Sequence, residues 1–471
     1  MFNARNCGRN YEVMIPGMGT TMNYLLHKKK HFTPFQLIIL GFLLVIILGC
    51  LLLMLPCAAK DGTGASAADA LFTSVSATCV TGLVVRNTVT YWSVFGQAVI
   101  LLLIQVGGMG VVTMAVSVAM VSGRKIGLMQ RSTMQEAISA PNVGGIVRMT
   151  GFIIKTSFLM ELLGAVAMLP VFYRVYGWSR GIWYAVFHSV SAFCNAGFDL
   201  LGHEVPFASL TSYQGDLVIN LTVMLLIIIG GAGFFTWEDI RLHGFRLKKY
   251  KMQSKIIMLM TVVLILVPAL FFYFLEFSQP EWDNMAGSDK IWNALFQAVT
   301  PRTAGFNTID LTKFSEAGKA VMLILMLIGG APGSTAGGMK VTTVAVLFLI
   351  SFAAFKRREE VHCFGRRIPG DTVKYAAAIL MLYLVLFLAG SIFISYTENL
   401  PMLDCLFETA SAIGTVGLSL GLTPELCQIS RVILIILMFF GRVGGLTLVF
   451  AAISPKGGGV SKLPQEKITV G

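Results

Sequence analysis

Eight long apolar segments, separated by polar connectors, dominate the pattern of the chain. They lie near residues 35–56, 94–121, 147–172, 216–236, 255–277, 319–351, 373–396 and 430–453. Each reaches the length of about 20 residues that an α-helix needs to cross a bilayer, and most carry few or no charges. The pattern therefore predicts an all-α polytopic membrane protein with eight transmembrane helices.

A shorter, half-apolar stretch recurs in the connector after each odd-numbered segment. The four copies occupy residues 72–83, 187–198, 296–306 and 407–418, and each starts at Phe and ends just after a glycine. A stretch of this length is too short to span, so it predicts a re-entrant half-helix followed by a glycine-containing strand. The predicted architecture is four span–pore-loop–span repeats, with eight transmembrane helices and four re-entrant half-helices, around a pseudo-four-fold pore.

The connectors give the predicted boundaries of these repeats. The organisation is a cytoplasmic N-terminal segment at 1–33, pore repeats at 34–123, 124–240, 241–355 and 356–454, and a cytoplasmic tail at 455–471. A second glycine cluster recurs in every even-numbered apolar segment, at residues 107–110, 230–233, 329–333 and 441–445. All four copies enter from the same side of the membrane, which favours a channel-like path over a carrier built from inverted repeats.

The four glycine strands have the properties of an ion-selectivity filter. Irregular backbone at membrane depth occurs where it is buried in protein or lines a water-filled cavity. Strands that meet around one axis can present rings of carbonyls that replace the hydration shell of K⁺. Glycine allows that alignment, and the negative ends of the half-helices favour a cation. The predicted filter consists of Val80, Thr81, Gly82, Asn195, Ala196, Gly197, Thr303, Ala304, Gly305, Thr415, Val416 and Gly417. The alternative is a set of glycine-rich turns between packed helices, which the fourfold recurrence disfavours.

The sixth apolar segment is interrupted by a run that cannot form a stable helix. The run consists of Gly329, Gly330, Ala331, Pro332, Gly333, Ser334, Thr335, Ala336, Gly337 and Gly338. In a helix interior, each glycine costs about 1 kcal/mol and a proline about 3 kcal/mol. The run predicts a mobile loop beneath the filter, with a helix-packing kink as the alternative. It lacks the residue order of a nucleotide-binding P-loop.

Several polar residues within or beside the apolar segments are further candidates. A charge inside a span, such as Arg442, usually faces a cavity or a partner, although an arginine can also extend to the interface. Lys340 is expected near the inner interface. Glu161 is either a polar link between helices or a functional acid. The side chain of Asn195 is an alternative support for the filter, while Asp199, Asn307 and Asp310 either gather cations or cap loops.

Composition and charge support the membrane interpretation. Of 471 residues, 55% are hydrophobic and 13% charged, which excludes a soluble enzyme and a disordered chain. The 36 basic and 24 acidic residues give a net charge of +12, and the basic residues concentrate in alternate connectors, so both termini are predicted to be cytoplasmic. The eight cysteines contain no CxxC pair, and the six histidines form no metal set, so neither a metal centre nor catalysis is predicted.

Three motifs resemble those of the Trk/Ktr/HKT superfamily of cation transporters. They are TPRTAGFN at 300–307, GTVGLS at 414–419 and GGAPGSTAGGMK at 329–340, and the likeness extends from about residue 30 to 455. The chain is most similar to Ktr-type membrane subunits, since Trk-type relatives usually carry additional N-terminal spans. In plant HKT relatives a serine at the first filter glycine accompanies sodium selectivity, so Gly82 implies potassium. The resemblance also implies that residues 329–338 and Arg442 form an intramembrane gate.

The same resemblance implies the setting in which the chain works. It implies potassium uptake across a bacterial inner membrane by a homodimer that sits on a cytosolic ring of nucleotide-binding regulatory subunits, which respond to ATP or ADP. Na⁺ is a possible activator, and neither an organic cofactor nor a nucleic-acid partner is expected. The alternative within the superfamily is a sodium or mixed-cation transporter.

Overall fold

The computed structural model describes residues 32–123, 126–139, 144–203, 205–358 and 360–452. The described residues from Pro34 onward form one compact unit. Almost all of the predicted N-terminal segment and the whole predicted C-terminal tail lie outside the described residues. The four predicted pore repeats lie almost entirely within them.

The described chain is built almost wholly from α-helices, which follow the four repeats. Repeat 1 contains α1 (Pro34–Leu53), α2 (Ala67–Thr78), α3 (Thr88–Tyr91), α4 (Val94–Met109) and α5 (Val111–Val121). Repeat 2 contains α6 (Leu128–Ala137), α7 (Ile146–Phe193), α8 (Leu217–Gly231) and α9 (Phe234–His243). Repeat 3 contains α10 (Met252–Phe271), α11 (Gly287–Val299), α12 (Glu316–Leu327) and α13 (Val341–Phe355). Repeat 4 contains α14 (Gly370–Glu398), α15 (Met402–Gly414), α16 (Gln428–Val443) and α17 (Gly445–Ala452).

Smaller elements connect these helices. A π-helical turn, Phe272–Glu276, extends α10. An antiparallel hairpin of β1 (His362–Cys363) and β2 (Arg366–Arg367) joins repeats 3 and 4. Short 3-10 turns lie at Pro56–Ala58, Thr211–Tyr213, Leu247–Lys249, Pro280–Trp282 and Leu311–Lys313.

The odd-numbered apolar segments form long, continuous helices. Within the described residues, four helices are long and apolar enough to cross a membrane: Pro34–Leu53, Ile146–Phe193, Met252–Glu276 and Gly370–Glu398. Counting each of two bent helix pairs as one span raises the number to six, by length and composition alone. The helix α7 contains a break at Gly177, where φ is 75°, so its C-terminal part forms the half-helix of repeat 2.

All four even-numbered apolar segments are broken, whereas the sequence analysis expected an interruption only in the sixth. Gly110, Gly233 and Gly444 have φ of +87°, +88° and +90°, and a helix begins directly after each. The α4–α5 and α8–α9 pairs are each bent by 95°. This left-handed backbone is accessible to glycine and ends an α-helix, so the recurring glycine clusters mark the breaks. In repeat 3, residues 328–340 are not helical and separate α12 from α13.

The half-helices lie at the centre of the compact unit. The phenylalanines that begin the repeated stretch, Phe72, Phe187, Phe296 and Phe407, are all buried. In addition to its own spans, α2 packs against α16 of repeat 4, α11 against α8 of repeat 2, and α15 against α12 of repeat 3. The helix α7 packs against α4 of repeat 1. Each repeat therefore contacts the preceding one, and the contact between repeats 1 and 4 closes the ring.

Candidate ion pathway

The four glycine strands meet around a common axis. A Cβ atom built on Gly197 would lie 2.7 Å from the carbonyl oxygen of Ala304 in the next strand. The same construction brings Gly82 against the Ala196 oxygen, Gly305 against the Val416 oxygen and Gly417 against the Thr81 oxygen. The contacts run from repeat 1 to 2, 3, 4 and back to 1. The structure thus brings the twelve residues named from the sequence into one closed ring, with no room for a side chain at the glycines.

Each strand has the same alternating backbone. The first residues, Val80, Asn195, Thr303 and Thr415, have positive φ of 57°, 59°, 68° and 50°. The glycines two positions later have φ of 91°, 68°, 79° and 91°. A non-glycine residue in this region costs about 1–3 kcal/mol and persists only where its surroundings hold it there, often at a functional site. The sequence analysis did not anticipate this strain, because it depends on contacts with the half-helices.

A hydroxyl residue four positions after each buried phenylalanine forms a hydrogen bond with the backbone of the glycine strand that follows it. In repeat 1, Ser76 Oγ accepts a hydrogen bond from Gly82 N at 3.1 Å, and in repeat 4 Ser411 Oγ accepts one from Gly417 N at 3.0 Å. In repeat 2, Ser191 Oγ donates to the Phe198 oxygen at 2.7 Å. In repeat 3, Thr300 Oγ1 donates to the Phe306 oxygen at 2.5 Å.

The hydrogen bonds of the strands leave their carbonyls unused. Thr81 N donates to the Ser76 oxygen at 2.8 Å and Val416 N to the Ser411 oxygen at 2.8 Å. Across the part of the chain that the structure describes, none of the twelve backbone carbonyls of the ring accepts a hydrogen bond from protein. Carbonyl oxygens placed in this way are the groups that replace the hydration shell of a cation.

Asn195 links three segments through its side chain. Its Nδ2 donates to the Arg302 oxygen at 3.1 Å in the third loop, and its Oδ1 accepts from Thr335 Oγ1 at 3.1 Å. The side-chain support that the sequence analysis named as an alternative is therefore present, together with a place in the ring. Thr335 belongs to the interrupted sixth segment, so this link connects the ring to that segment.

A cavity of about 290 Å³ adjoins the ring glycines, on the outer side of the ring in the orientation predicted from the sequence. It is lined by the four ring glycines and by Asp199, Asn307 and Asp310, among other residues. The same three side chains also cap their loops: Asp199 Oδ1 accepts from Leu201 N, Asp310 Oδ1 accepts from Thr312 N, and Asn307 Nδ2 donates to the Ile309 oxygen. The loop-capping alternative is therefore present in the geometry, and the gathering of cations by these residues stays a prediction. Burial raises the pKa of Asp199 to about 6.

Residues 329–338, here called the glycine loop, lie between the ring and the helices of repeats 2 and 4. Ala331 N donates to the Gly231 oxygen at 2.9 Å, and Gly338 N donates to the Gly441 oxygen at 3.1 Å. A Cβ built on Gly337 would meet Thr415 Oγ1 in the ring. The base of the loop is closed by the bond from Gly329 N to the Met339 oxygen, at 2.8 Å.

Arg442 joins the glycine loop to repeat 1. Its guanidinium donates to the carbonyl oxygens of Thr335 and Gly107, and to that of Gly108 at 3.0 Å. Gly107 and Gly108 lie in the last turn of α4, where the carbonyls carry partial negative charge and favour a cation. Lys340 Nζ donates to the Ala336 oxygen of the loop at 2.7 Å, and its expected position near the inner interface stays a prediction. The loop folds back over Lys340, which the linear sequence does not reveal.

A second cavity, of about 520 Å³, lies on the other side of the glycine loop. Pro332, Lys340 and Arg442 line it, together with Ile138, which follows α6. The glycine loop and Arg442 therefore lie between the ring and this second cavity, which is the inner one in the orientation predicted from the sequence.

Glu161 lies behind the second strand and not in either cavity wall. Its Oε1 accepts a hydrogen bond from Gln105 Nε2 at 2.8 Å, and it is 5% exposed. Cys194, which precedes Asn195 in the chain, lies within 4.0 Å of the same carboxylate oxygen. Of the two alternatives, the polar link between helices describes this contact, since Gln105 is on α4 and Glu161 on α7.

Comparison with known proteins gives a consistent result. A family model described as "TrkH: Cation transport protein" matches residues 20–462. The chain is 41% identical to Ktr system potassium uptake protein B of Bacillus subtilis, over 90% of this chain and 94% of that one. It is 37% identical to Potassium/sodium uptake protein NtpJ of Enterococcus hirae, over 94% and 98% respectively.

A solved structure supports the fold. The crystal structure of the potassium transporter TrkH from Vibrio parahaemolyticus matches with a TM-score of 0.71 and 24% identity, over 91% of this chain and 86% of that one. The predicted all-α polytopic membrane architecture with pore-loop repeats, and the resemblance to the Trk/Ktr group, are confirmed. The matched proteins transport ions, so the chain is a membrane transporter and not an enzyme. The chain belongs to the TrkH family of cation transport proteins.

Proposed function

We propose that this protein takes up potassium through a pore whose selectivity filter is the ring of four glycine strands. The observation that carries the proposal is the cyclic contact of each ring glycine with the carbonyl that precedes the glycine of the next strand. The twelve residues predicted from the sequence line this filter, and K⁺ binds at their carbonyls. Both relatives are named for the uptake of potassium, one of them together with sodium, which supports the choice of ion.

The path of the ion follows from the geometry. A hydrated cation enters the outer cavity, where the carboxylate of Asp199 attracts it above the pKa of that group. It sheds water as the carbonyls of the ring replace its hydration shell. A membrane potential contributes about 2.3 kcal/mol per charge per 100 mV, which drives the ion inward without chemical energy. Because each strand has one glycine where the TVGYG filter loop of K⁺ channels has two, we expect fewer or weaker ion sites on the outer side.

The glycine loop and Arg442 form the gate in this proposal. The loop contacts Thr415 of the filter on one side and lines the inner cavity on the other. Arg442 holds the loop through Thr335 and adds a positive charge to the ion path. Opening requires the loop to move away from the axis, which breaks the bond between Arg442 and Thr335. Deleting residues 330–337 should raise flux, and unchanged or abolished flux in well-folded protein contradicts the gate.

The setting of the transporter belongs to the same proposal. The protein works as a homodimer in a bacterial inner membrane, with cytoplasmic termini and a cytosolic ring of nucleotide-binding regulatory subunits that respond to ATP or ADP. One relative is named as part of a Ktr system, which supports a partner subunit. Na⁺ acts as an activator in this scheme, and no organic cofactor is bound by this chain.

A mixed potassium and sodium pathway is the second candidate, because one relative is named a potassium/sodium uptake protein. Gly82→Ser separates the two. Its added Cβ meets the Ala196 oxygen in the next strand, so the ring must widen. Uptake of K⁺ and Na⁺ into liposomes at a fixed potential should show a preference for potassium that the substitution reduces.

The matched control is Gly62→Ser, at a glycine that also has positive φ, +72°, but has nothing within 4 Å of a built Cβ. It should leave the ion preference unchanged. An unchanged K⁺/Na⁺ ratio in Gly82→Ser contradicts the filter assignment. Equal uptake of both ions by the unsubstituted protein supports the mixed pathway.

A further inference from the structure

Each half-helix carries a buried polar residue directly after its buried phenylalanine. These residues are Thr73, His188, Gln297 and Glu408, at 2%, 0%, 0% and 1% exposure. They lie outside the twelve filter residues, and burying a polar group without a partner is costly. Their partners therefore indicate what these side chains do.

His188 reaches the segment that leaves the second filter strand. Its Nε2 is 3.2 Å from Leu200 N, and its Nδ1 is 2.7 Å from the Tyr184 oxygen. Leu200 N–H can only donate, so Nε2 is the acceptor and Nδ1 carries the proton, which makes the imidazole neutral. Leu200 is the third residue after the filter glycine Gly197. His188 thus ties the outer end of the filter to its own half-helix.

The equivalent residues of repeats 3 and 4 reach the same position with different chemistry. Gln297 Nε2 donates to Thr308 Oγ1 at 3.4 Å, and Thr308 is the third residue after Gly305. Glu408 Oε1 accepts from Leu420 N at 3.2 Å, and Leu420 is the third residue after Gly417. Glu408 also accepts from Ser419 Oγ and, at 2.7 Å, from Thr423 Oγ1.

Repeat 1 uses another pair for the same task. Within the described residues, Thr73 makes no side-chain hydrogen bond to the segment after Gly82. Instead, Arg86 Nε lies 2.9 Å from Asp69 Oδ2, so an ion pair joins that segment to α2. Thr73 is therefore an internal comparison. Like His188 it directly follows the buried phenylalanine of its half-helix and is buried, but it makes no hydrogen bond to the segment after the filter glycine.

We propose that His188, Gln297 and Glu408 are positioning residues that set the ion selectivity of the pore by fixing the outer end of their filter strands. The inference rests on the proposed function of the ring as a filter. The strands hold strained backbone, which persists only while the surroundings over-determine it. In repeats 2, 3 and 4 a hydrogen bond three residues beyond the glycine fixes the segment that leaves the strand. The hydroxyl four positions after each phenylalanine holds the glycine itself or the residue that follows it. Loss of one of these hydrogen bonds lets the ring carbonyls move, so the ring discriminates less between two cations of different size.

The test compares three variants in liposomes at a fixed potential. His188→Phe keeps an aromatic ring and removes the acceptor for Leu200 N. His188→Gln restores an acceptor with the residue that repeat 3 uses at this position. Thr73→Val is the matched control. We expect the K⁺/Na⁺ uptake ratio to fall about threefold to tenfold in His188→Phe, the range given by the loss of one hydrogen bond. The ratio should remain near that of the unsubstituted protein in the other two variants.

A second measurement reports on position independently of transport. Hydrogen–deuterium exchange of the peptide covering residues 198–203 should be faster in His188→Phe and unchanged in Thr73→Val. An unchanged K⁺/Na⁺ ratio in folded His188→Phe overturns the inference, whatever the exchange rate. If His188→Phe does not fold, Glu408→Gln takes its place, because one amide oxygen replaces two carboxylate oxygens that accept three donors. The same fall in ratio is expected, and an unchanged ratio overturns the inference.

Gly82→Ser, measured in the same vesicles, separates this inference from the proposed function. If Gly82→Ser lowers the ratio and His188→Phe does not, the filter stands and the positioning role fails. If Gly82→Ser leaves the ratio unchanged, the filter assignment fails, and the positioning role fails with it.

Discussion

Replacing Arg442 with glutamine should increase cation flux through the protein in the absence of any partner. The guanidinium donates to Thr335 in the glycine loop and to two carbonyls, of Gly107 and Gly108, at the end of α4. Only the bond to Thr335 involves the loop. Its loss therefore weakens the closed position of the loop, whereas the other two bonds anchor the arginine itself.

The size of the effect follows from the type of bond. A hydrogen bond to a charged group contributes about 1.5–3 kcal/mol. A loss of about 2 kcal/mol changes the ratio of closed to displaced loop roughly thirtyfold, since 1.4 kcal/mol is tenfold in an equilibrium constant. Removing the positive charge from the ion path acts in the same direction. Arg442→Lys keeps the charge but not the planar fork, so its flux should be intermediate.

The assay is K⁺ uptake into liposomes at a fixed membrane potential, with protein content and unfolding temperature measured for each variant. Arg431→Gln is the matched control, because Arg431 lies on the same helix, α16, and its partners lie away from the loop. They are the Pro424 oxygen at 2.7 Å and Asp69 Oδ1 at 3.4 Å. It should lower stability without raising flux. If folded Arg442→Gln transports no faster than the unsubstituted protein, the assignment of Arg442 as a latch is wrong.

Three further outcomes are expected. Burial raises the pKa of Asp199 to about 6, so its carboxylate is charged above that pH and neutral below it. Lowering the external pH from 7.5 to 5 should therefore raise the KM for K⁺ uptake, and Asp199→Asn should remove this pH dependence. Gly107→Ala should lower the unfolding temperature by an amount equivalent to about 1–3 kcal/mol, because its Cβ meets the backbone oxygen of Thr78, whereas Gly151→Ala, whose nearest neighbour is Met120 Cε at 3.7 Å, should not. Asn195→Ala should reduce the K⁺/Na⁺ uptake ratio, because it removes the bond to the Arg302 oxygen; an unchanged ratio contradicts that role.

The fourfold repeat was accessible from the sequence because it follows from periodic chemistry. Phenylalanine and glycine recur at similar spacing between successive spans, and that recurrence predicted which strands would meet. The breaks at Gly110, Gly233 and Gly444 were missed even though their glycines had been noted. An apolar run is compatible with a straight helix or a bent one, and the sign of φ at a glycine depends on what packs around it.

The sequence by itself determined the class of the protein, the number of repeats and the positions of the four glycine strands. These properties depend on hydrophobic length and on residue spacing, both of which are local. The tertiary structure decided which distant groups share a contact. The bonds from Arg442 to Gly107 and Thr335, from Asn195 to Arg302 and from Lys340 to the glycine loop join repeats or fold a loop back on itself. Such contacts depend on how the repeats pack around the axis, so no pattern along the chain predicts any one of them.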